Sequence, residues 1–336
     1  MLRKLIWLFL PFATAVAVHY ECLPYPVKSM CRIEYMSYHP GDQISFPAGY
    51  QRYHINLPKS MRKAISNVTI FDQQLYEAMH RPTGVEMISA GLKELSLPTE
   101  LLLGDFNDNH IDTVNTTSGE NFHITYLDLS FNSIRNMEFV SPLVNLEILH
   151  LGHNFIEVIP DSALSTLTKL KYLYLQHNHY ITLIPWGHIP RSIIHLDFYG
   201  DNIIEVVLTN ISFPSLEYLN VRNNALTTFK VIELLRAAPN LKEAHLHNSD
   251  IDEELMRKIY AELTENNVSF KTLYESCESD EDGIWRHMVY GSCTKWHQEV
   301  LPMEFPLRSV LLLVVVVGTV IAFVCIVLLV FKHMNR

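Results

Sequence analysis

Tyrosine and histidine recur together in the middle of the chain, where leucine or another apolar residue frames each of them. Phrases such as Tyr172-Leu173-Tyr174-Leu175 alternate aromatic and apolar side chains. In a β-strand alternate side chains point to opposite faces, so the apolar set is buried and the aromatic set lies on the other face. Tyrosine offers a large contact area at a low entropy cost and is enriched at protein interfaces. We therefore predict a ligand-binding surface made of Tyr126, His150, Tyr172, Tyr174, His195, Asp197, Tyr199, Tyr218 and Arg222.

The same residue types have two alternative roles in a protein. Exposed aromatic residues can pack laterally along a repetitive sheet without binding any ligand. Histidines can bind a metal, and His153 and His177 occupy equivalent positions in neighbouring repeats, where strands ~4.8 Å apart place two imidazoles side by side. Zinc requires three or four ligands, and the sequence offers no third. The sequence therefore predicts no metal and no cofactor.

Signatures of catalysis are missing from the sequence. It contains no His-Glu-x-x-His, no Gly-x-Ser-x-Gly and no phosphate loop. The neighbouring Asp128 and His150 lack a nucleophile, because Ser130 lies on a flat sheet and not in a pocket. The formal net charge of −10 disfavours binding to a phosphate backbone, which needs clusters of Lys and Arg. We expect a protein that binds other proteins, not an enzyme and not a nucleic-acid-binding protein.

The elements that position these side chains are repeats. Leu146-x-x-Leu149-x-Leu151-x-x-Asn154-x-Ile156 fits the leucine-rich-repeat template. The equivalents of Asn154 stand at positions 132, 154, 178, 201, 224 and 249, in steps of 22, 24, 23, 23 and 25 residues. One repeat cannot bury its apolar face alone, so repeats stack. The predicted fold is an α/β leucine-rich-repeat solenoid, a horseshoe with a parallel sheet on its concave face.

Upstream of residue 100 the repeat pattern weakens. Leu101-x-x-Gly104-x-Phe106-x-x-Asn109-x-Ile111 is a fair match. Val85-x-Met87 and Val68-x-Ile70 are poor matches, and their register stays open. The segment from Thr113 to His123 is longer than its counterparts and is expected to bulge from the convex side.

The ends of a solenoid need caps, because an open end exposes the core. Residues 18–60 are the predicted N-terminal cap, residues 61–251 the repeats, and residues 252–300 a C-terminal helix and disulfide cap. Ile251, Leu255, Ile259 and Leu263 recur every four residues, which predicts an amphipathic helix. The four cysteines outside the apolar C-terminal segment allow three pairings. We predict the two local ones, Cys22–Cys31 and Cys277–Cys293.

Both ends of the chain carry apolar segments. Residues 1–17 predict a secretory signal peptide, with a membrane anchor as the alternative. Residues 310–331 are uncharged and long enough, at ~1.5 Å per residue, to cross a bilayer. Residues 301–309 form the predicted stalk, and Lys332 and Arg336 place residues 332–336 in the cytoplasm. The prediction is a single-pass type I protein of the plasma membrane; a glycolipid anchor, with Gly291-Ser292 before the spacer, is the alternative.

Two further patterns agree with export and insertion into a membrane. N-glycosylation sequons begin at Asn67, Asn115, Asn210 and Asn267. Within the predicted span, Gly318 and Ala322 form a small-xxx-small pair on the same face as Cys325. The hypothesis is a lateral partner helix on this face, and the alternative is a small pair that occurs by chance in a Val-rich span. The five residues predicted to follow the span leave no room for a signalling domain, so a signal would pass through partners.

The signal peptide, the Cys22 and Cys31 pair, the phrase Tyr126-Leu127-Asp128-Leu129-Ser130-Phe131-Asn132 and the C-terminal span together resemble the mosquito leucine-rich-repeat immune proteins, in particular their membrane-anchored branch. The resemblance covers nearly the whole chain. It implies a role in innate immunity, with a complement-like thioester protein as a possible partner. The soluble members have a long coiled coil, and this sequence has no such heptad run after Ser249. An adhesion protein or a developmental co-receptor with the same fold is the alternative function.

Overall fold

The computed structural model of the chain describes residues 17–23, 29–56, 67–117, 119–246, 249–270, 286–289 and 292–295. Contacts within the chain divide it into two units, Met1–Lys271 and Thr272–Arg336. The predicted stalk, transmembrane segment and tail lie outside the described residues, as do Cys277 and residues 1–16 of the predicted signal peptide. No helix within the described ranges is long and apolar enough to cross a membrane.

Elements are numbered in chain order. The strands are β1 (Val18–His19), β2 (Met30–Ile33), β3 (Ser37–Tyr38), β4 (Ile44–Ser45), β5 (Arg52–Asn56), β6 (Asn67–Val68), β7 (Ile70–Phe71), β8 (Gly84–Ile88), β9 (Glu94–Ser96), β10 (Leu103–Asp105), β11 (Thr113–Asn115), β12 (Tyr126–Asp128), β13 (Ile148–His150), β14 (Tyr172–Tyr174), β15 (His195–Asp197), β16 (Tyr218–Asn220), β17 (Glu243–His245), β18 (Arg286–Val289) and β19 (Ser292–Lys295). The helices are α1 (Gln73–Ala78), α2 (Asp161–Ser165), α3 (Val231–Ala237) and α4 (Glu253–Glu265), with 3-10 turns at Glu138–Val140 and Trp186–His188.

A ten-stranded sheet runs through the first unit in the order β17-β16-β15-β14-β13-β12-β10-β8-β5-β2. Every pairing in it is parallel, and the central residue of each short strand pairs with the central residue of the next. These central residues point inward and are completely buried: Gly104 apart, they are Leu127, Leu149, Leu173, Leu196, Leu219 and Ala244. The leucine-rich-repeat fold with a parallel sheet is therefore confirmed. In such a coil the parallel strands line the concave face.

The sheet continues upstream into the predicted N-terminal cap. Strand β5 pairs with β8, and β2 pairs with β5, both in parallel. The pairing of Tyr53 with Val85, and of Val85 with Gly104, gives the register that the sequence leaves open. Val68-x-Ile70 is not a strand of this sheet, because β6 pairs with β3 and β7 pairs with β9. The same apolar alternation also suits a strand on the opposite side of the coil.

Opposite the concave face, strands β11, β9 and β7 form a second parallel sheet. Phe71 and Leu95 from this sheet are fully buried in the same core as the inward residues of the concave strands. The expected bulge from Thr113 to His123 thus begins with a regular strand, β11, which pairs with β9 residue by residue. Further along the chain, short helices replace these strands between successive repeats.

A ladder of buried asparagines holds neighbouring repeats together. Asn154 is representative: its Oδ1 accepts from the Ile134 N–H at 3.0 Å, and its Nδ2 donates to the Leu129 and Leu151 carbonyls at 2.9 and 3.0 Å. Each amide therefore satisfies backbone groups in its own repeat and in the one before, where water cannot reach them. The other asparagines of the ladder are Asn109, Asn132, Asn178 and Asn224, and Asp201 occupies the equivalent position in its repeat.

The ends of the repeat array are closed by different devices. Cys22 and Cys31 form a disulfide, as predicted, and Cys31 is fully buried in β2. At the other end α4 forms where predicted, and the side chain of Asp252 caps its start by accepting from the Leu255 N–H at 2.9 Å. In the second unit, β18 and β19 form an antiparallel hairpin. The predicted Cys277–Cys293 bridge stays a prediction, because Cys277 lies outside the described residues.

Candidate functional site

Aromatic rings cross six consecutive strands of the concave face as one stack. Successive ring centroids lie 5.7, 4.2, 4.7, 4.0 and 5.4 Å apart. Two neighbouring pairs are nearly parallel, with interplanar angles of 4° and 6°. We call this stack the aromatic ladder; its members, in order from β12 to β17, are Tyr126, His150, Tyr174, His195, Tyr218 and His245.

The register of the strands explains why the rings stack on one another. His150 and Tyr174 are direct register partners, and so are His195 and Tyr218. Neighbouring strands are ~4.8 Å apart, close to the separation that aromatic rings prefer. Between the two pairs the contact is not between register partners: Tyr174 reaches His195 diagonally, and their ring centroids lie 4.7 Å apart. Each ring thus fixes the orientation of the next.

Burial favours the uncharged form of two of the three imidazoles in the ladder. It lowers the pKa of His195 to about 3, with smaller contributions from His150 and His245. It also lowers the pKa of His245 to about 4, with Arg222 adding to the effect. The Nε2 atom of His195 is buried and has no hydrogen-bond partner among the residues that the structure describes. The ladder is therefore a row of aromatic rings with polar edges, in which His195 and His245 are uncharged near neutral pH.

Asp197 supports the backbone beneath the ladder. Its Oδ1 accepts from the Tyr199 N–H at 2.9 Å, and its Oδ2 accepts from Asn220 Nδ2 at 3.2 Å. Burial raises the pKa of its carboxyl to about 6. Both oxygens face donors of the chain itself, which fits a role in shaping the turn after β15.

A second group of rings lies where the strands end and turn. Phe131 stacks on His153 at 4.0 Å, His153 on His177 at 4.3 Å, and Tyr199 meets His177 edge-on at 4.7 Å. The guanidinium of Arg222 lies 4.4 Å from the Tyr199 centroid. We call these five residues the rim stack. The predicted neighbourhood of His153 and His177 is confirmed.

Backbone conformation gives the rim stack its shape. Phe131, His153 and His177 all have a positive φ, between 55° and 61°. The same position is glycine in the next repeat: Gly200 has φ +70°, and a Cβ there would lie 2.8 Å from His177 Nδ1. The absence of a side chain at Gly200 is what allows the His177 ring to lie over the next turn.

The predicted binding residues are thus divided between two groups. Tyr126, His150, Tyr174, His195 and Tyr218 belong to the aromatic ladder. Tyr199 follows the strand by two residues and belongs to the rim stack with Arg222. Tyr172 contacts the edge of the ladder, 6.2 Å from His195. Sequence reasoning missed His245 and Phe131 as members. Phe131 occupies the same repeat position as His153 and His177, which is a signal that finds it, whereas His245 meets Tyr218 only diagonally, because its register partner is Asn220.

Upstream of the ladder the concave face is charged. Glu86, Asp105 and Asp128 are register partners on three adjacent strands. Burial opposes ionisation of Glu86, but hydrogen bonds and charge from His54 and Arg52 hold its pKa below the usual value. Burial, together with the charge of Asp128, raises the pKa of Asp105 well above normal. The face therefore has a row of carboxyl side chains in its N-terminal part and the aromatic ladder in its C-terminal part.

Within the described part of the chain no group of three His, Cys, Asp or Glu side chains is arranged to hold a metal ion. His153 and His177 are half-buried, and burial lowers the pKa of His153 to about 4 and that of His177 below normal. Of the four sequon asparagines, Asn115, Asn210 and Asn267 are exposed. Nothing is described of the Asn67 side chain.

Sequence comparisons give the fold of the chain an independent basis. A family model described as leucine rich repeat matches residues 143–190. Podocan-like protein 1 of Mus musculus is 29% identical over 215 residues, which cover 61% of this chain and 34% of that protein. Adenylate cyclase of Schizosaccharomyces pombe is 27% identical over 191 residues, or 51% of this chain. That alignment covers 11% of the cyclase, so the cyclase activity does not transfer.

A solved structure agrees with this fold. The leucine-rich-repeat domain of APL1B is similar with a TM-score of 0.54 at 19% identity, covering 79% of this chain and 85% of that one. The LRIM1/APL1C complex covers 87% of this chain at 17% identity, with a TM-score of 0.48. This chain spans about a third or less of the length of its curated relatives. The comparisons, together with the observed sheet, show that the described part of the first unit is built on the leucine-rich-repeat fold.

Proposed function

We propose that this chain is a cell-surface recognition protein that binds an extracellular protein through its concave face. The observation that carries the proposal is the aromatic ladder, an unbroken stack of rings on six neighbouring strands. Tyrosine concentrates binding energy at interfaces, and residues held in place before binding lose little entropy when a partner arrives. The stacked rings are oriented by one another, so the surface is largely pre-formed.

The finer parts of the proposal rest on the sequence. The signal peptide, the sequons and the apolar segment at 310–331 support a place at the plasma membrane, with the repeats outside. The resemblance to mosquito leucine-rich-repeat immune proteins supports a role in innate immunity and a complement-like thioester protein as the partner to test first. Similarity to the APL1B domain supports the fold only, at 19% identity.

The test uses the full chain displayed on cultured cells. Surface partners are cross-linked and identified, and the affinity of each is then measured for Tyr174→Ala and for a control, Tyr180→Ala. Tyr180 is 57% exposed but lies in the turn after the strand, outside the aromatic ladder. A true partner should bind the Tyr174→Ala variant about 30-fold more weakly, equivalent to ~2 kcal/mol, and the Tyr180→Ala variant normally. Equal affinities for both variants would move the binding site away from the ladder.

A further inference from the structure

A polar cleft lies at the end of the three-stranded sheet, opposite the concave face. It is open to solvent, has a volume of about 700 Å³, and is walled by the start of α1, by the ends of β9 and β11 and by the segment that follows β11. Hydroxyl and amide side chains dominate its lining, among them Gln73, Ser96, Thr99, Thr117 and Asn121. Among the residues that the structure describes, the lining contains one carboxylate, Glu120, and no Lys, Arg or His.

The lining selects one class of occupant. Without a cation in its described walls the cleft does not suit phosphates, nucleotides or acidic peptides, which need Lys or Arg. Leu97, the apolar side chain of the described lining, offers too little surface for a hydrophobic ligand. Hydroxyls and amides both donate and accept, so they match a neutral ligand that carries many hydroxyl groups. A saccharide has that chemistry.

One wall of the cleft is itself a candidate attachment point for a saccharide. Asn115 lines the cleft, is exposed, and begins the sequon Asn115-Thr116-Thr117. Its Nδ2 donates to Glu94 Oε1 at 2.7 Å and, more weakly, towards Ser96 Oγ at 3.4 Å. A glycosylated amide keeps one N–H. When the remaining N–H keeps the shorter hydrogen bond to Glu94, the new bond from Nδ2 to the sugar points towards Ser96, which lines the cleft.

We propose that the cleft holds the first sugars of an N-linked glycan attached to Asn115. In the transfer, Asn115 Nδ2 bonds to C1 of the sugar, and the bond from C1 to a lipid-linked pyrophosphate breaks. The pyrophosphate leaves with the electron pair, and the amide nitrogen gives up one proton. The attached glycan then enters the cleft without a separate association step, because the covalent link raises its effective concentration there. The inference rests on the export of the chain, which is part of the proposed function.

The test is native trimming of the full chain, produced through the secretory route, by an endoglycosidase that cuts between the first two sugars. Mass spectrometry of glycopeptides follows each site. Asn210 and Asn267 are exposed and outside the cleft, so they serve as internal controls. The Asn115 glycan should be trimmed at least tenfold more slowly than the other two, and this protection should vanish after denaturation. Gln73→Ala, which removes part of the cleft wall, should speed trimming at Asn115 alone.

The remaining outcomes separate this inference from the proposed function. If Asn210 and Asn267 carry glycans while Asn115 is empty, or is trimmed as fast as they are, the cleft does not hold a glycan and export still stands. If all three are empty, both the inference and the export of the chain are wrong. Thr117→Ala, which removes the sequon but keeps Asn115, should lower the Tm by about 2–4 °C if the seated sugars stabilise the fold; the same change at Ser212 should not.

Discussion

Asp201 stands at an asparagine position of the buried asparagine ladder that joins neighbouring repeats. Its Oδ1 accepts from the Asn178 N–H at 2.6 Å, whereas its Oδ2 is buried without a hydrogen-bond partner in the described ranges. In Asn224, one repeat later, the atom that corresponds to Oδ2 is the amide nitrogen Nδ2, which donates to the Phe198 and Val221 carbonyls. A carboxylate cannot donate in this way, and burial raises the pKa of Asp201 to about 8.

Asp201→Asn should therefore stabilise the fold, and by more at high pH. The pKa of Asp201 in the folded protein lies above its unfolded value of ~3.9. The contribution of this carboxyl to stability is therefore complete below pH ~3.9 and is lost as the pH rises through 8. Asparagine has no such proton to lose. Thermal unfolding at pH 5 and at pH 8.5 should show a larger gain in Tm for the variant at the higher pH, corresponding to ~1–3 kcal/mol.

A matched control introduces a carboxyl at another position of the asparagine ladder. Asn224→Asp should lose stability, and the loss should grow with pH because a buried carboxylate is costlier than a protonated acid. A gain for Asp201→Asn that is the same at both pH values would mean that Asp201 is already ionised in the folded protein and that its burial has no bearing on stability.

Helix α4 is the element that closes the C-terminal end of the core. Ile259 and Leu263 are buried against the last repeat, and the segment after the helix continues the sheet, with the Ala244 N–H donating to the Ser269 carbonyl at 2.8 Å. A terminal repeat without such a cover would expose its apolar face.

Leu263→Ala should lower the free energy of unfolding by about 2–5 kcal/mol, because it leaves a cavity beneath the helix. Glu265→Ala, two residues away on the exposed side of α4, should change it by less than ~0.5 kcal/mol. Urea denaturation of the full chain measures both. Equal effects would show that α4 contributes no packing to the core and that the last repeat is stable without it.

The elements also show where sequence reasoning succeeds and where it stops. The Leu-x-Leu pairs and the spacing of the asparagines predict the strands from β12 to β17 and their outward-facing residues. They succeed because the same repeat length sets both which side chains are buried and which ones bond to the backbone. Helix α4 follows from Ile259 and Leu263 by the same logic. Strands β2 and β5 fall within the predicted cap, since neither Cys31 nor Tyr53 belongs to the leucine template although both are fully buried.

The stacking of side chains cannot be predicted from the repeat period of the sequence. The outward-facing positions place Tyr174 and His195 on neighbouring strands, but whether two rings meet depends on rotamers and on the offset between those positions. The same limit explains Tyr199: the pattern gives its face, and the turn at Gly200 decides that it joins His177. The cleft beside Asn115 requires the second sheet, which no pattern in the sequence predicts.

At the scale of the whole molecule, the aromatic ladder and the cleft beside Asn115 lie on opposite sides of the first unit. A glycan held in the cleft therefore leaves the ladder open to a protein partner. The two ends of the concave face differ: a partner that spans both must meet the carboxyl groups of Glu86, Asp105 and Asp128 at one end and stacked aromatic rings at the other. These two properties suit a surface that faces the extracellular medium.

The orientation of the full chain in the membrane can be measured directly. With the signal peptide removed after residue 17 and Lys332 and Arg336 following the apolar segment, we expect the repeats outside and the C-terminus in the cytoplasm. A tag inserted after residue 17 should be stained on intact cells, and a tag after residue 336 only once the cells are permeabilised. A phospholipase that cleaves glycolipid anchors should release neither tag. Release of the first tag, with loss of the second from the mature protein, would establish the glycolipid anchor instead, whereas staining of both tags only after permeabilisation would remove the chain from the cell surface and with it the proposed recognition of an extracellular protein.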